Sequence, residues 1–149
     1  MGSSSGYLAS ELLDNTTSCT DVAKFNQGTG SWDQYSSAVG LGDYNIEVGV
    51  GYFVACDSTD SLSISGTPPG VVSHNLTSGW NLLGWTNSSM NTTAAAVCSG
   101  LTYCTDVAKY NRGTRSWDQY NVVVGLGDFD ITTGVGYFIM VTDSTTWTR

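Results

Sequence analysis

One stretch of this chain is written twice. At a shift of 85 residues, positions 19–53 lie over 104–138 with 25 of 35 identical, including all of CTDVAK and SWDQY. A repeat of this strength constrains the fold more than any single motif, because each local element must then appear twice. The match continues more weakly upstream, 7–13 over 92–98, and downstream, 54–64 over 139–149. Residues 65–90 have no counterpart. The full unit therefore reads as this opening block, then a helix, then hairpins. The second copy holds all three parts and the first lacks its opening strands. Residues 1–6 (MGSSSG) have the composition of a cloning leader. The expected organisation is a first, incomplete β module over 7–60 and a second, complete one over 61–149, including the unrepeated 65–90 block. Either a longer repeat protein was trimmed here, the favoured reading, or the first copy borrows strands from elsewhere.

Local pattern supplies the fold class. TDVAKFN and SWDQY are short β-prone runs separated by QGTG (RGTR in the second copy), which predicts a hairpin. NIEVGVGYFVAC and DITTGVGYFIMV predict strands broken by a glycine pair, leading into an aromatic-aliphatic strand. One short helix is expected per copy, over 7–14 and 92–99, the second N-capped by Asn91 and continued through three alanines. In the unrepeated block SLSIS and VVSHNL flank TPPG, and SGWNLLGW reads as a further strand. The expected class is mainly β with one short helix per module, in two tandem, internally repeated, pseudo-symmetric modules.

The cysteines bear on compartment. Four of them with no CxxC pair do not fit the knuckle spacing of structural zinc, and disulfides are the better reading. Cys19 and Cys104 are equivalent, so each needs a partner. Cys56 lies over Val141 and Cys98 over Leu13. Pairing within copies, Cys19–Cys56 and Cys98–Cys104, is the simplest of three connectivities and gathers these positions around one spot in the module. Disulfides imply an oxidising compartment, and the expected localisation is extracellular, at the cell surface. Sequons at Asn15, Asn75, Asn87 and Asn91 are candidate glycosylation sites there. No apolar run approaches the roughly 20 residues of a membrane helix, and no export signal is apparent, so the chain reads as a secreted fragment expressed without that signal. A net charge of −8 with only five Lys and Arg argues against nucleic acid and anionic lipid as partners.

The order GWNLLGW, short helix, DVAKYNRGTRSWDQY, then GVGYFIMV resembles the GWNL…W..Y…GxGY(F/W) repeats of archaeal cell-surface and S-layer-associated proteins and of exported proteins in some filamentous bacteria. The likeness rests on Trp80, Leu82, Gly84, Trp117, Tyr120, Gly134, Gly136, Tyr137 and Phe138. It covers residues 78–147, and 7–58 without the GWNL strand. The resemblance implies a scaffold module set among neighbouring modules of a longer surface protein, and brings no catalytic residues with it.

Candidate sites are few. Trp32/Trp117 and Tyr35/Tyr120 stand at i and i+3 on a strand, so each pair points to opposite faces. They fill a thin core or, in the alternative reading as a carbohydrate-binding module, offer rings to a polysaccharide, with Trp85 as a further contact. Asp57 and Asp60 are the best oxygen cluster for calcium, although no D-x-D-x-DG loop occurs and no cofactor is otherwise expected. Asp43 and Asp128 are expected to cap turns, and Lys24/Lys109 to pair with Asp21/Asp106. His74 is the lone histidine, without a G-x-S-x-G elbow near it, so a small secreted hydrolase ranks third. The chain is expected not to be an enzyme, with strand-exchanged self-association as a further candidate partnership.

Overall fold

A computed structural model of the chain describes residues 4–67, 69–86 and 91–149. Its elements in chain order are β1 (Ser4–Leu8), α1 (Ala9–Asp14), β2 (Cys19–Asn26), β3 (Ser31–Ser36), β4 (Asn45–Glu47), β5 (Phe53–Cys56), β6 (Ser73–Leu76), β7 (Gly79–Gly84), β8 (Thr92–Thr93), α2 (Ala94–Ser99), β9 (Cys104–Asn111), β10 (Ser116–Asn121), β11 (Asp130–Ile131), β12 (Gly136–Val141) and β13 (Thr145–Thr148). The fold is mainly β with two short helices and several small sheets. One sheet has the order β3-β2-β5, another β10-β9-β12-β7, and two-stranded pairs join β1 to β4, β8 to β11 and β6 to β13.

The hairpins form where the turn chemistry allows. Between β2 and β3, Asn26 Oδ1 accepts the amides of Gly28 and Thr29, and between β9 and β10 Asn111 Oδ1 accepts those of Gly113 and Thr114. These Asx contacts close the chain over a residue in the left-handed region, Gly30 at φ 67° and Arg115 at φ 54°. Glycine adopts that region freely, whereas a Cβ there costs about 1–2 kcal/mol. Arg115→Gly is therefore expected to stabilise the chain by about 1 kcal/mol, read as a higher midpoint in urea. An unchanged or lower midpoint would show that Arg115 makes a compensating contact.

Each six-residue helix is too short to stand alone and is held by packing and by a distant carboxylate. Asp43 accepts the Ser10 amide at 3.1 Å and its hydroxyl at 2.6 Å, while Asp128 accepts the Ala95 amide at 2.9 Å. A negative group at the first turn also suits the helix dipole. These aspartates thus bind helix N-termini 33 residues upstream rather than only their own turns. Both helices start later than the sequence suggests, because the residues before them are extended and paired with β4 and β11. The N-cap of α2 is Thr93, whose Oγ1 accepts the Ala96 amide, and not Asn91. Ser4–Gly6, read as leader, lie within β1.

The apolar faces turned toward the helices build two cores of unequal size. Ala9, Leu12 and Leu13 of α1 bury against Val22, with Tyr35, Tyr44, Ile46 and Tyr52 around them. In the second, Ala94, Val97 and Cys98 of α2 meet Val107, Tyr120, Ile131, Tyr137 and Ile139, and the unrepeated block adds Leu76, Leu83 and Trp85, with Trp147 from β13. Tyr52 Oη accepts the Glu47 amide and Tyr137 Oη the Thr132 amide, tying strand to turn in both places. Asn81 explains the polar residue within GWNLLG. Fully buried, it accepts the Thr77 amide and donates to the carbonyls of Thr77 and Gly79, which fixes the entry into β7.

The unrepeated block touches both halves. β7 pairs with β12 along its whole length, while its other edge bridges Leu83 to Val50, with Gly51 N–H donating to Leu82 and Gly84 N–H to Gly49. A Cβ on Gly51 would lie 2.7 Å from Leu82 Cγ, and one on Gly84 2.7 Å from the Val50 oxygen, so this crossing requires both glycines. Position 74 hydrogen-bonds the first half as well, His74 Nε2 lying 2.9 Å from the Val48 oxygen. SLSIS is not a strand. The segment after TPPG pairs instead with the end of the chain, β6 on β13.

Both disulfides join the cysteines expected from the repeat. Cys19 and Cys56 are directly opposite one another on β2 and β5, and Cys98 reaches from α2 to Cys104 at the start of β9. Cys104 in turn lies opposite Val141, the counterpart of Cys56, so the positions do gather at one spot. Two disulfides point to an oxidising environment. Among the described residues no helix is long and apolar enough to cross a membrane.

Candidate functional site

Strand register decides which repeated residues share a face. Opposite one another across the four strands of the larger sheet are Leu82, Phe138, Ala108 and Gln119, and the next pair along is Tyr110 with Trp117. In the smaller sheet the same row is Phe53, Ala23 and Gln34, followed by Phe25 with Trp32. Since side chains alternate along a strand, these rows lie on the faces turned away from the two helices. The two faces meet. Their rings form a single cluster.

The cross-sheet distances come in matched pairs. Phe25 lies 5.6 Å from Phe138, and Tyr110 6.0 Å from Phe53. Trp32 lies 6.0 Å from Phe138, and Trp117 6.2 Å from Phe53. Phe53 and Phe138 close the set at 6.4 Å. Within each sheet Phe25–Trp32 and Tyr110–Trp117 are edge-to-face at 5.4 and 5.5 Å. Most of these contacts are edge to face, the arrangement favoured by the ring quadrupole. Trp80 is the exception to the matching, since it packs on Phe138 at 6.2 Å from a strand that the first copy lacks.

An open cleft of about 320 Å³ runs beside this cluster, lined by Phe25, Trp80, Ala108, Trp117, Gln119 and Phe138. Gln119 Nε2 donates to Asp106 Oδ1 at 2.8 Å, and Asn121 donates to the same oxygen. Burial pushes the Asp106 carboxyl up, but the donors Asn121, Gln119 and Thr105 outweigh it and hold the group below its ordinary range. The first-copy counterpart Asp21 is held low by Thr20, Gln34 and Ser36.

The sequence-nominated aromatics separate into two groups. Trp32 and Trp117 keep 46% and 50% of their surface exposed, one side in the cluster and the other toward solvent. Tyr120 and Trp85 are buried, at 9% and 5%, and Tyr35 packs on the α1 core, so none of these three presents a ring face as a platform. Trp85, taken as a loop-side contact, packs at 6.0 Å and with the rings tilted by 59° against Trp147, a residue that sequence reasoning did not single out. The sequence pointed to the remaining cluster members only as core strands.

The charged candidates have other partners than expected. Lys24 pairs with Glu47 at 3.3 Å and lies over the Tyr44 ring, and Lys109 lies over Phe129. A spacing of three puts each lysine on the opposite face from Asp21 or Asp106, which rules out the expected pairs. Asp60 accepts the amides of Thr17 and Ser18 at 2.7 and 2.8 Å and also both hydroxyls. Asp57 lies beyond β5, and its amide donates to Ser18. Among the described residues no group of three or more His, Cys, Asp or Glu is placed to hold a metal ion. Asn15, Asn75 and Asn91 are exposed, and Asn87 lies outside the described residues.

Those hydrogen bonds make Asp60 acid-sensitive. The amides of Thr17, Ser18 and Ser61 hold its carboxyl far below the usual range. A depressed folded pKa gives stability that is present above the unfolded value near 4 and lost as pH falls. Asp60→Asn is therefore expected to flatten the fall in melting temperature between pH 5 and 3, about the unfolded carboxylate value, while Asp21, Asp43 and Asp106 leave part of it in place. Identical acid profiles for the two proteins would count against this role.

Comparisons of the chain with protein-family models, with curated proteins and with solved structures return no match.

Proposed function

We propose that this chain is a non-catalytic structural module of an extracellular cell-surface protein, made of two pseudo-symmetric copies of one β unit joined face to face. The observation that carries the reading is the reciprocity of the ring contacts. Residue 25 meets 138 as 110 meets 53, and 32 meets 138 as 117 meets 53, at nearly equal distances. Reciprocal contacts of this kind are the mark of an isologous interface, in which one patch recognises itself across a two-fold axis. The exact recurrence of β2 and β3 as β9 and β10, 85 residues on, supports the same reading. Each edge-to-face pair contributes about 0.5–1.5 kcal/mol beyond burial. The repeated aromatics then serve to join the copies into one stiff body, which suits a spacer or adhesive element among neighbouring modules. Two disulfides fit an extracellular setting.

A second reading is favoured by one feature, the half-exposed Trp117 ring beside Trp80 and Gln119 in the open cleft. Aromatic walls with one amide suit the apolar face of a neutral pyranose, so carbohydrate binding is the alternative. Tryptophan fluorescence during titration with neutral and acidic polysaccharides, alongside a glycan array, separates the two. The structural reading expects no saturable change in the folded, oxidised protein. A saturable change lost in Trp117→Ala, with the fold retained, would replace it with the carbohydrate reading.

A further inference from the structure

The two copies differ in one place that concerns backbone rather than side chains. In the second, the outer edge of β12 is covered by β7 over six residue pairs, from Gly136 opposite Gly84 to Val141 opposite Gly79. In the first, β5 pairs with β2 and, among the described residues, carries no strand on its other side. Exposure follows this difference. Val54 is 38% exposed, whereas its counterpart Ile139 is 2% exposed. Phe53 likewise lacks the tryptophan that Trp80 supplies to Phe138. A groove of about 350 Å³ runs along this edge, with Phe53, Val54, Cys56, Leu62, Leu82 and Tyr110 among its walls.

We propose that the outer edge of β5 is an acceptor for one extended strand of the GWNLLGW type, supplied by a further copy of the module. This rests on the two-copy reading above. What identifies the occupant is the second copy itself, where that sequence fills the equivalent edge. Strand addition to an open edge draws affinity from backbone hydrogen bonds and specificity from alternate side chains. By the register of β7 on β12, the incoming leucine equivalent to Leu82 stands opposite Phe53. The tryptophan equivalent to Trp80 stands opposite Ala55, on the ring-bearing face. The contact that β7 already makes with the first copy does not compete. It uses the Gly49 oxygen and the Gly51 amide, whereas Trp85 engages the Val135 oxygen and the Gly134 amide, counterparts of the Val50 oxygen and the Gly49 amide. An uncovered edge is an aggregation hazard that natural sheets cover or block, and Val54 and Ala55 carry no gatekeeping charge.

The test uses a fluorescent synthetic peptide of the sequence at 78–86, SGWNLLGWT, titrated onto the intact oxidised protein. Saturable binding is expected, with slowed amide exchange at Phe53–Cys56. A peptide with Ala at the Trp80 position is expected to bind roughly tenfold more weakly, as for an anchoring aromatic. Val54→Pro is expected to abolish binding, since it removes an edge amide and cannot accept a ladder. Should that variant fail to fold, a peptide N-methylated at alternate residues tests the same hydrogen bonds from the other side. No saturation, binding mapped elsewhere, or binding indifferent to N-methylation would overturn the proposal. So would a dimer seen in sedimentation that pairs β5 with β5 while the peptide stays unbound. None of these results touches the structural reading, which is tested separately by polysaccharide binding and by the stability of the ring cluster.

Discussion

Phe138→Ala is expected to lower the unfolding free energy by about 3–5 kcal/mol, the range for deleting a buried aromatic. Phe138 is 9% exposed and lies within ring contact of Phe25, Trp32, Phe53, Trp80 and Trp117, more partners than any other ring in the cluster. Removing it leaves a void between two sheets whose backbones are tied across the first and second copies chiefly at Val50–Leu83, so the site can relax only by moving the sheets. Phe53→Ala, at the equivalent position, is expected to cost less, because Phe53 is more exposed and lacks the tryptophan above it. Urea denaturation of the two variants checks the ranking. Equal costs, or a loss for Phe138→Ala below about 1 kcal/mol, typical of surface change, would remove the joint from the account.

Removing the Cys19–Cys56 bridge is expected to cost more than removing Cys98–Cys104. The bridges close loops of sequence separation 37 and 6. In the chain-entropy account these lengths correspond to about 4 and about 2 kcal/mol. The first bridge also supports the smaller core, where Ala9, Leu12, Leu13 and Val22 are the buried residues. The double variant Cys19→Ser/Cys56→Ser is thus expected to loosen the first copy at physiological temperature, while Cys98→Ser/Cys104→Ser stays folded. Denaturant midpoints and slopes for the two double variants decide it. A reversed order would mean that local geometry outweighs loop length.

Much of the fold is legible in the sequence because its signals are local. The β2–β3 and β9–β10 hairpins follow from Asn and Gly at fixed turn positions, and the disulfides take the simplest of the three pairings the repeat left open. The helix starts are misplaced because pairing of β1 with β4 and of β8 with β11, a tertiary effect, holds the preceding residues extended. SLSIS fails as a strand because β6, its expected partner across TPPG, pairs instead with β13, far along the chain. The aromatic cluster is half legible. Alternation correctly sends Trp32 and Trp117 to the face opposite Tyr35 and Tyr120, but no single-strand pattern says that this face meets rings from the other sheet. Trp85 is misjudged for a similar reason: its polar neighbours suggest a surface loop, while Trp147, brought in by β13, covers it.

The most direct test of the face-to-face joint is native-state hydrogen exchange of the equivalent core amides Val22 and Val107, each fully buried in its own half. If the rings bind the copies into one body, both amides open with the same free energy, within about 1 kcal/mol, as members of one cooperative unit, and Phe138→Ala splits them. If Val22 exchanges orders of magnitude faster than Val107 in the unaltered oxidised protein, the first copy opens by itself and the aromatic cluster is not what holds the molecule together.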